Sequence, residues 1–386
     1  MKSIAVIFGG KSAEHDVSII TAHTPIIDTL RAAGGYDVWP VYITKEGKWY
    51  CDKRMNELSF FKNPGYVDEI AKWKPIELSF ANGLTLVWPG VFGKRQKIDV
   101  VFPAMHGTNG EDGALMGLLR MANVPFVGCN VAASAVAMDK ALTKQVVAAE
   151  GMPVVPYVWF TKSQWEREAP ELRRKIAALR YPLFVKPVHL GSSIGMTKAK
   201  TEQELERAIE VALHYDEKVL VEEAIEPLIE VTLPLMGNDE VRPALPERPL
   251  NKTEFFDFND KYLSGGGKKR GSGVNNAYSE IPAQIGDELT KEILELGERT
   301  YRALGCTGLA RVDFLIHADT KAVYVNEVNT LPGSLYHHNW KKAGVSNLEM
   351  VTGLIRLAEE RFASQQSTTF SFQSSILEKV GGPKAP

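Results

Sequence analysis

The 386-residue sequence predicts an α/β unit followed by α+β units. Three observations carry that expectation. Short apolar runs ended by glycine alternate with helical periodicity early in the chain, the pattern of a parallel sheet covered by helices. Paired strands around polar turns replace that alternation later. The chain also exceeds one ordinary domain, so two or three are expected.

Residues 3–8 form a mostly apolar run stopped by Gly9-Gly10, as in a buried parallel strand. A helix follows from about Ser12, a residue able to cap it, and Pro25 is expected to kink or end it. Residues 38–43 read as a second strand, placed at an edge by Pro40. Residues 99–104 give another strand, 113–122 a helix, and 125–127 a short strand. Helical periodicity spans 132–150 until Gly151-Met152-Pro153 breaks it. A strand at 183–187 runs into the loop Gly191-Ser192-Ser193-Ile194-Gly195, followed by a helix at 202–214 and a strand at 219–222. Residues 229–236 and 241–245 flank a hairpin-like turn. Residues 264–276, rich in Gly, Lys and Asn, read as a long loop. A helix at 287–304 precedes strands at 310–316 and 322–328, and residues 347–361 form a last helix. Beyond about Ser364 the composition turns to Ser, Gln, Thr and Pro, as in a disordered tail.

A formal net charge of −2 gives no global field to recruit nucleic acid or an acidic membrane. The short Lys268-Lys269-Arg270 cluster does not change that. Three widely spaced cysteines, Cys51, Cys129 and Cys306, fit reduced thiols in a cytosol better than a disulfide framework. No apolar run approaches membrane-spanning length, and the N-terminus shows no signal-peptide pattern. These features point to a cytoplasmic protein.

The strongest chemical signal is Arg311-Val312-Asp313 with Glu327-Val328-Asn329. Residues two apart share a strand face, so a hairpin centred near Thr320 sets Arg311 opposite Asn329 and Asp313 opposite Glu327. Facing like charges destabilise a ladder unless a cation reverses the sign, and three oxygen donors suit magnesium. A solvent-facing polar side of an ordinary hairpin explains the pattern equally well. Lys186 ends an apolar strand just before the small-residue loop, a plausible polyphosphate cradle, although a plain turn fits too and the P-loop ending is missing. Lys140, taken alone, reads as a solvated helix charge. Glu14 and His106 follow strands at what should be one carboxyl edge, where α/β sheets place ligands. The adjacent His337-His338 pair is a poor metal motif and better suited to packing or substrate contact.

Taken in this order, the residues resemble the ATP-grasp ligases, specifically the D-alanine–D-alanine ligase family. The resemblance rests on residues 9–18, 106–113, 138–140, 184–195, 221–230, 260–263, 311–313 and 327–333. It implies an ATP-grasp fold, with an N-terminal parallel α/β domain (1–128) followed by central (129–222) and C-terminal (223–364) α+β domains that clasp ATP. Residues 365–386 would be a disordered tail. It further implies that Lys140, Lys186 and Ser193 meet the phosphates and that Glu222 and the backbone near Glu223 and Ile225 hold adenine. Glu230 is the ribose candidate, and Leu228 stands where the family usually has a ribose-binding glutamate. Asp313, Glu327 and Asn329 match ligands of two Mg2+ ions, with Mn2+ as the alternative. Arg311 and the Gly333 amide would stabilise an oxyanion. Glu14, Ser192 and Tyr262 match the group that positions the substrates and closes a lid, from which Lys261 reaches the γ-phosphate.

The resemblance also implies small amino-acid substrates, with His106 beside them; a homodimer is the general prior for a soluble chain. The stretch after Gly333 is shorter than in common members, which makes Ser334, His337 and His338 the candidates for holding the second substrate. The leading reading is a ligase that joins two D-alanines for cell-wall precursors. A relative joining a different amino acid or amine, and a non-catalytic nucleotide-binding regulator, are the alternatives.

Overall fold

The computed structural model describes residues 1–90, 93–250, 279–369 and Ser374. The N-terminal sheet is built on β1 (Lys2–Gly9), which runs parallel to β2 (Tyr36–Ile43). β2 takes β3 (Trp49–Cys51) antiparallel on its other side. A meander of β4 (Glu77–Ser79), β5 (Thr85–Val87) and β6 (Arg95–Lys97) leads to β7 (Val100–Pro103), parallel to β1. The order is β3-β2-β1-β7, and the short strand expected at 125–127 is a single bridge from Phe126 to Val101. Ile4, Val6 and Phe8 pack on one side with Ile26, Leu30, Leu354 and Ile355, while Ala5 and Ile7 pack on the other with Met105, Leu115 and Leu119. Burial on both faces is why β1 is apolar without alternation.

Two prolines act differently from their sequence reading. Pro25 does not end the first helix: α1 (His15–Thr21) continues through a π-helical turn, Ala22–Ile27, into α2 (Asp28–Ala33). Proline lacks an N–H and crowds the carbonyl four residues back, and the wider turn gives it room. Pro40 does not mark an edge, because β2 lies between β1 and β3. The β3 pairing covers only Val41, Tyr42 and Ile43, so the ladder starts just past the residue that cannot donate to it.

Three short helices follow on this unit, α3 (Leu58–Lys62), α4 (Tyr66–Ile70) and α5 (Ala114–Met121). Residues 132–150, expected as one helix, form two: α6 (Val131–Met138) and α7 (Lys140–Ala149). Asp139 breaks the run with extended backbone, and its carboxylate accepts the Ala141 and Leu142 amides at 3.0 and 2.9 Å. That cap makes Lys140 the first residue of α7 instead of an interior charge.

The second sheet holds β8 (Tyr157–Thr161), α8 (Lys162–Ile176), β9 (Leu183–Pro187), β10 (Thr197–Ala199), α9 (Glu202–Tyr215) and β11 (Lys218–Glu223). Its antiparallel order is β10-β9-β11-β8. The sequence reading leaves β8 and α8 unassigned, although Thr161 and Gln164 form a capping box that marks the helix start. Leu183, Val185, Val219 and Val221 pack with Leu172, Ile176, Leu205 and Ile209 of the two helices. Strand alternation then sends Lys186 and Glu222 to the opposite face.

The third sheet comprises β12 (Leu228–Gly237), β13 (Val241–Pro243), β16 (Gly308–His317) and β17 (Val323–Asn329), in the order β13-β12-β16-β17. β14 (Arg248–Pro249) pairs with β15 (Ser279–Glu280) beside it, and α10 (Asp287–Ala303) packs on it. Leu233, Val312 and Phe314 are buried with Ile293, Leu296, Ala133 and Val147, which leaves Arg311, Asp313, Glu327 and Asn329 on the other face. The chain returns through α11 (His337–Lys342) to α12 (Asn347–Gln366), capped by a Ser346–Glu349 box. α12 runs two residues into the segment expected as tail, and its Met350, Leu354 and Ile355 complete the core of the N-terminal sheet. Among the described residues no helix is long and apolar enough to cross a membrane.

Because Leu354 is fully buried between α12 and the first sheet, Leu354→Ala is expected to destabilise the protein by about 2–5 kcal/mol. Denaturant unfolding read on an N-terminal tryptophan would check it. A midpoint equal to wild type would mean that α12 is not part of that core.

Candidate active site

Parallel pairing puts the ends of β1 and β7 at one edge, so residues 10–15 and 104–113 leave the sheet side by side. Glu14 sits at the N-terminus of α1 with only 8% exposure, its amide held by Ser12 Oγ at 3.1 Å. Gly107 has φ +67°, and a Cβ there would lie 2.7 Å from Ser12 Oγ and 3.0 Å from Glu14 Oε2. Only glycine lets this loop close over Glu14. From the second sheet, Ser192 donates its hydroxyl to the same carboxylate. Ser192 and Ser193 both have left-handed backbone, φ 53° and 57°, a conformation that cups amides into an anion-binding turn.

His106 is buried, and its Nε2 lies 2.8 Å from Thr21 Oγ1. Thr21 in turn accepts the Ser334 amide at 3.0 Å. The ring also hydrogen-bonds the Leu331 backbone in a way that favours its protonated form, as a carbonyl acceptor does. Desolvation outweighs that contact and lowers the His106 pKa. In the neutral ring, one nitrogen therefore donates to Leu331 and Nε2 accepts the Thr21 hydroxyl. Glu111 bridges the same two segments, accepting Gly107 N–H at 2.7 Å and Leu331 N–H at 3.3 Å. Burial first, then the nearby Glu14 carboxylate, push Glu111 up to about 8.

The third sheet supplies the charged face. Arg311 pairs with Asn329 and Asp313 with Glu327 across β16–β17, and the register shifts at a bulge directly after Asp313. Arg311 donates Nε and Nη2 to Asp313 at 2.6 and 2.5 Å, and Asn329 Nδ2 reaches the same carboxylate at 3.1 Å. The Arg311 guanidinium lies 4.8 Å from the Tyr336 ring centroid. Lys140 stands 3.6 Å from Glu327 and donates to Leu190 O at 2.7 Å. Glu14, His106, Gly107, Glu111, Lys140, Ser192, Arg311, Glu327, Asn329 and Gly333 line one cleft. Lys140 and Arg311 thus meet the Glu14 and Glu327 carboxylates, the Glu111 carboxyl group and the Asn329 amide in a partly enclosed space, an arrangement able to hold a polyanion and its counter-ion.

Both halves of the chain match known families. Residues 3–129 match the model of the D-ala D-ala ligase N-terminus, and residues 146–356 match that of the D-ala D-ala ligase C-terminus. The chain belongs to the D-alanine–D-alanine ligase family. A D-alanine–D-alanine ligase of Bacillus cytotoxicus is 37% identical over 375 residues, covering 95% of this chain and 98% of its own. Among solved structures, the D-alanine-D-alanine ligase from Coxiella burnetii superposes with a TM-score of 0.79 at 31% identity, covering 95% and 96% of the two chains. The VanG D-Ala:D-Ser ligase from Enterococcus faecalis gives 0.77 at 34%, covering 92% and 99%. The fold is therefore ATP-grasp, and the chain is an ATP-dependent, ADP-forming ligase.

Other sequence candidates lie outside the cleft lining of this ligase-family protein. Lys186 and the fully buried Lys144 flank the Glu222 carboxylate, with Lys144 at 2.9 Å. Burial raises the Glu222 pKa, but the two lysines overcome it and hold the group well below the usual carboxylate range. Its side chain is thus committed to lysines, not presented to a base. Glu223 pairs with Arg180 at 2.7 Å. Ile225 follows β11, and Glu230 lies on β12 opposite Leu315. His337 Nδ1 sits 3.0 Å from Ser334 O, and His338 Nε2 lies 3.0 Å from Glu247. Neither imidazole joins the cleft lining formed by the described residues. Lys261 and Tyr262, with the 264–276 loop, lie outside the described residues. Sequence reasoning missed Thr21 and Lys144 and gave no role to Glu111, which lies within the 106–113 motif. Lys144 left a signal of its own, four residues after Lys140 and so on the same face of α7.

Thr21→Val would strand the Ser334 amide and the His106 ring. The expected loss is about 1–3 kcal/mol of stability, together with a larger drop in turnover than in stability-matched core variants. Urea unfolding and ADP release measured on the same protein check both parts.

Proposed function

We propose that the ligase joins two D-alanines through a D-alanyl phosphate, using Mg2+-bound ATP, and so supplies a cell-wall precursor in the cytoplasm. One observation carries the reading: Glu14, Ser192, Lys140, Arg311, Glu327, Asn329 and Gly333 converge on one cleft from all three sheets. A carboxylate is a poor electrophile, and phosphorylation supplies a leaving group before the amine attacks. In this reading Lys140 and the 191–195 loop hold the phosphates, with Lys186 adding its charge from beside Glu222, and Arg311 with the Gly333 amide steadies the negative oxygen of the tetrahedral intermediate. Glu14, fixed by Ser192, anchors the ammonium group of the first amino acid. Neutral His106 borders that subsite.

The donor set suits a divalent cation. Asp313 and Glu327 face each other, Asn329 adds an amide oxygen, and all three are hard oxygen donors of the kind magnesium takes. When bound, the ion would neutralise phosphate charge. The family name of the first relatives favours D-alanine as acceptor, while the likeness to a D-Ala:D-Ser ligase keeps D-serine as the second reading. Ser334 is the candidate for the acceptor carboxylate, since its amide is tied to Thr21 at the cleft margin. A homodimer completes the proposal and rests on the general prevalence of two-fold dimers among soluble proteins.

Glu327→Gln is expected to fold normally and lose turnover by at least about a hundredfold, with partial recovery at high magnesium. Near-normal ADP release at ordinary magnesium would sink the metal assignment. Acceptor identity is read by mass analysis of products from D-alanine supplied with D-serine, D-lactate or L-alanine. D-alanyl-D-alanine should dominate. A product made mainly with D-serine would move the chain to the second reading.

A further inference from the structure

His189 lies between the strand that delivers Lys186 and the loop that begins at Gly191. Its surroundings are built from three elements. Nδ1 faces Asp216 at 3.0 and 3.1 Å, and the His189 backbone N–H donates to that carboxylate at 2.6 Å. Nε2 faces Asp139 Oδ2 at 3.4 Å. Asp139 is the N-cap of α7, whose first residue is Lys140, and Asp216 ends α9. Lys218, at the start of β11, shares Asp139 Oδ2 at 2.6 Å. The flanking residues are fixed as well. Val188 N–H donates to Lys218 O at 3.0 Å, Val188 O accepts the Lys140 amide at 3.4 Å, and Leu190 O accepts the Lys140 ammonium at 2.7 Å. Residues 188–190 are therefore a strap binding the loop to the helix that bears Lys140.

We propose that His189 is a positioning residue: as an imidazolium between Asp139 and Asp216 it fixes the 191–195 loop and Lys140 in one geometry for the nucleotide phosphates. The inference rests on the reading that this loop and Lys140 meet ATP. Two carboxylates on opposite ring nitrogens need both nitrogens to donate, and only the protonated ring does so. A neutral ring would turn a lone pair toward one of the aspartates. The charged groups facing the ring are Asp139 beside Lys140 on α7, Asp216 after α9 and Lys218 on β11. Its hydrogen bonds to Asp139 and then Asp216 raise His189 to about 9. The sign follows: its contribution is complete below the unperturbed value near 6.5 and is lost as pH rises through about 9.

The test compares wild type with His189→Gln and His189→Arg, measuring the KM for ATP, the KM for D-alanine and kcat from pH 7 to 10. Lys140→Ala serves as the control on the phosphate site. Wild type should hold a constant KM for ATP to about pH 8 and lose affinity through about 9. His189→Gln should raise that KM by about tenfold at pH 7, within what a misplacement of about 1 Å can cost, with the D-alanine KM little changed. Its pH dependence between 8 and 10 should flatten. His189→Arg, a permanent cation, should recover most of the affinity and show no inflection near 9. Titration of the His189 ring by NMR provides a readout without turnover, and an inflection near 6.5 would overturn the clamp. So would a wild-type KM and pH profile in His189→Gln, or an effect confined to D-alanine. If Lys140→Ala binds ATP as wild type does, the phosphate-site reading itself fails. If Lys140→Ala loses ATP while the His189 variants do not, only the clamp is wrong.

Discussion

Two carboxylates set opposite each other on an antiparallel ladder are the constraint around which the cleft is organised. Asp313 and Glu327 occupy facing positions on β16 and β17, an arrangement that repels unless cations converge on it. The fold brings those cations from two directions. Arg311 comes from the same strand face and clasps Asp313 with two nitrogens. Lys140 comes from a different element and reaches Glu327 from the first turn of α7. That second contact requires the helix to begin at Lys140, which requires Asp139 as its cap. A local backbone break thus becomes part of the electrostatics of a sheet far away in sequence.

The same economy of charge recurs deeper in the protein. Glu222 is buried with Lys144 and Lys186 on either side of it, so the ammonium at the end of β9 is steadied by an anion, while Lys144 backs that anion from the helix. Removing one member of such a buried group is more damaging than its net contribution suggests, because the remaining charge would lie uncompensated. The cleft and this triad share α7, which carries Lys140 and Lys144 one turn apart. One helix therefore sets both the surface charge that meets the cleft and the buried charge that supports the strand beneath it.

Contacts between distant segments then close the cleft. Helix α12 fills the core of the first sheet, so Ile4 of β1 and Leu354 of α12 share one hydrophobic cluster. That packing brings the segment after β17 against the loops that leave β1 and β7. Glu111 and Thr21 meet the Leu331 and Ser334 amides there, and His106 joins the Leu331 backbone. Backbone amides at a cleft margin are useful only if they are held still, and each of these contacts satisfies a polar group that would otherwise be buried without a partner.

The buried parallel strand β1 and the pairing of Arg311, Asp313, Glu327 and Asn329 were legible in the chain itself. Alternation along a strand is a local property, and the register across a tight hairpin follows from counting residues through its turn. The family resemblance was legible for the same reason, since it rests on short motifs. Tertiary structure alone decided how Pro25 and Pro40 are accommodated, because the width of a helical turn and the extent of a neighbouring strand depend on what packs beside them. It alone decided that Asp139 splits a helix that periodicity makes continuous, and that Glu222 belongs to two lysines. It also directed His338 to Glu247 and brought Thr21, Glu111 and His189 into partnership with residues far away in the chain. Sequence spacing specifies which face a side chain takes on its own element, whereas its partner across a cleft is fixed only when separate elements pack together.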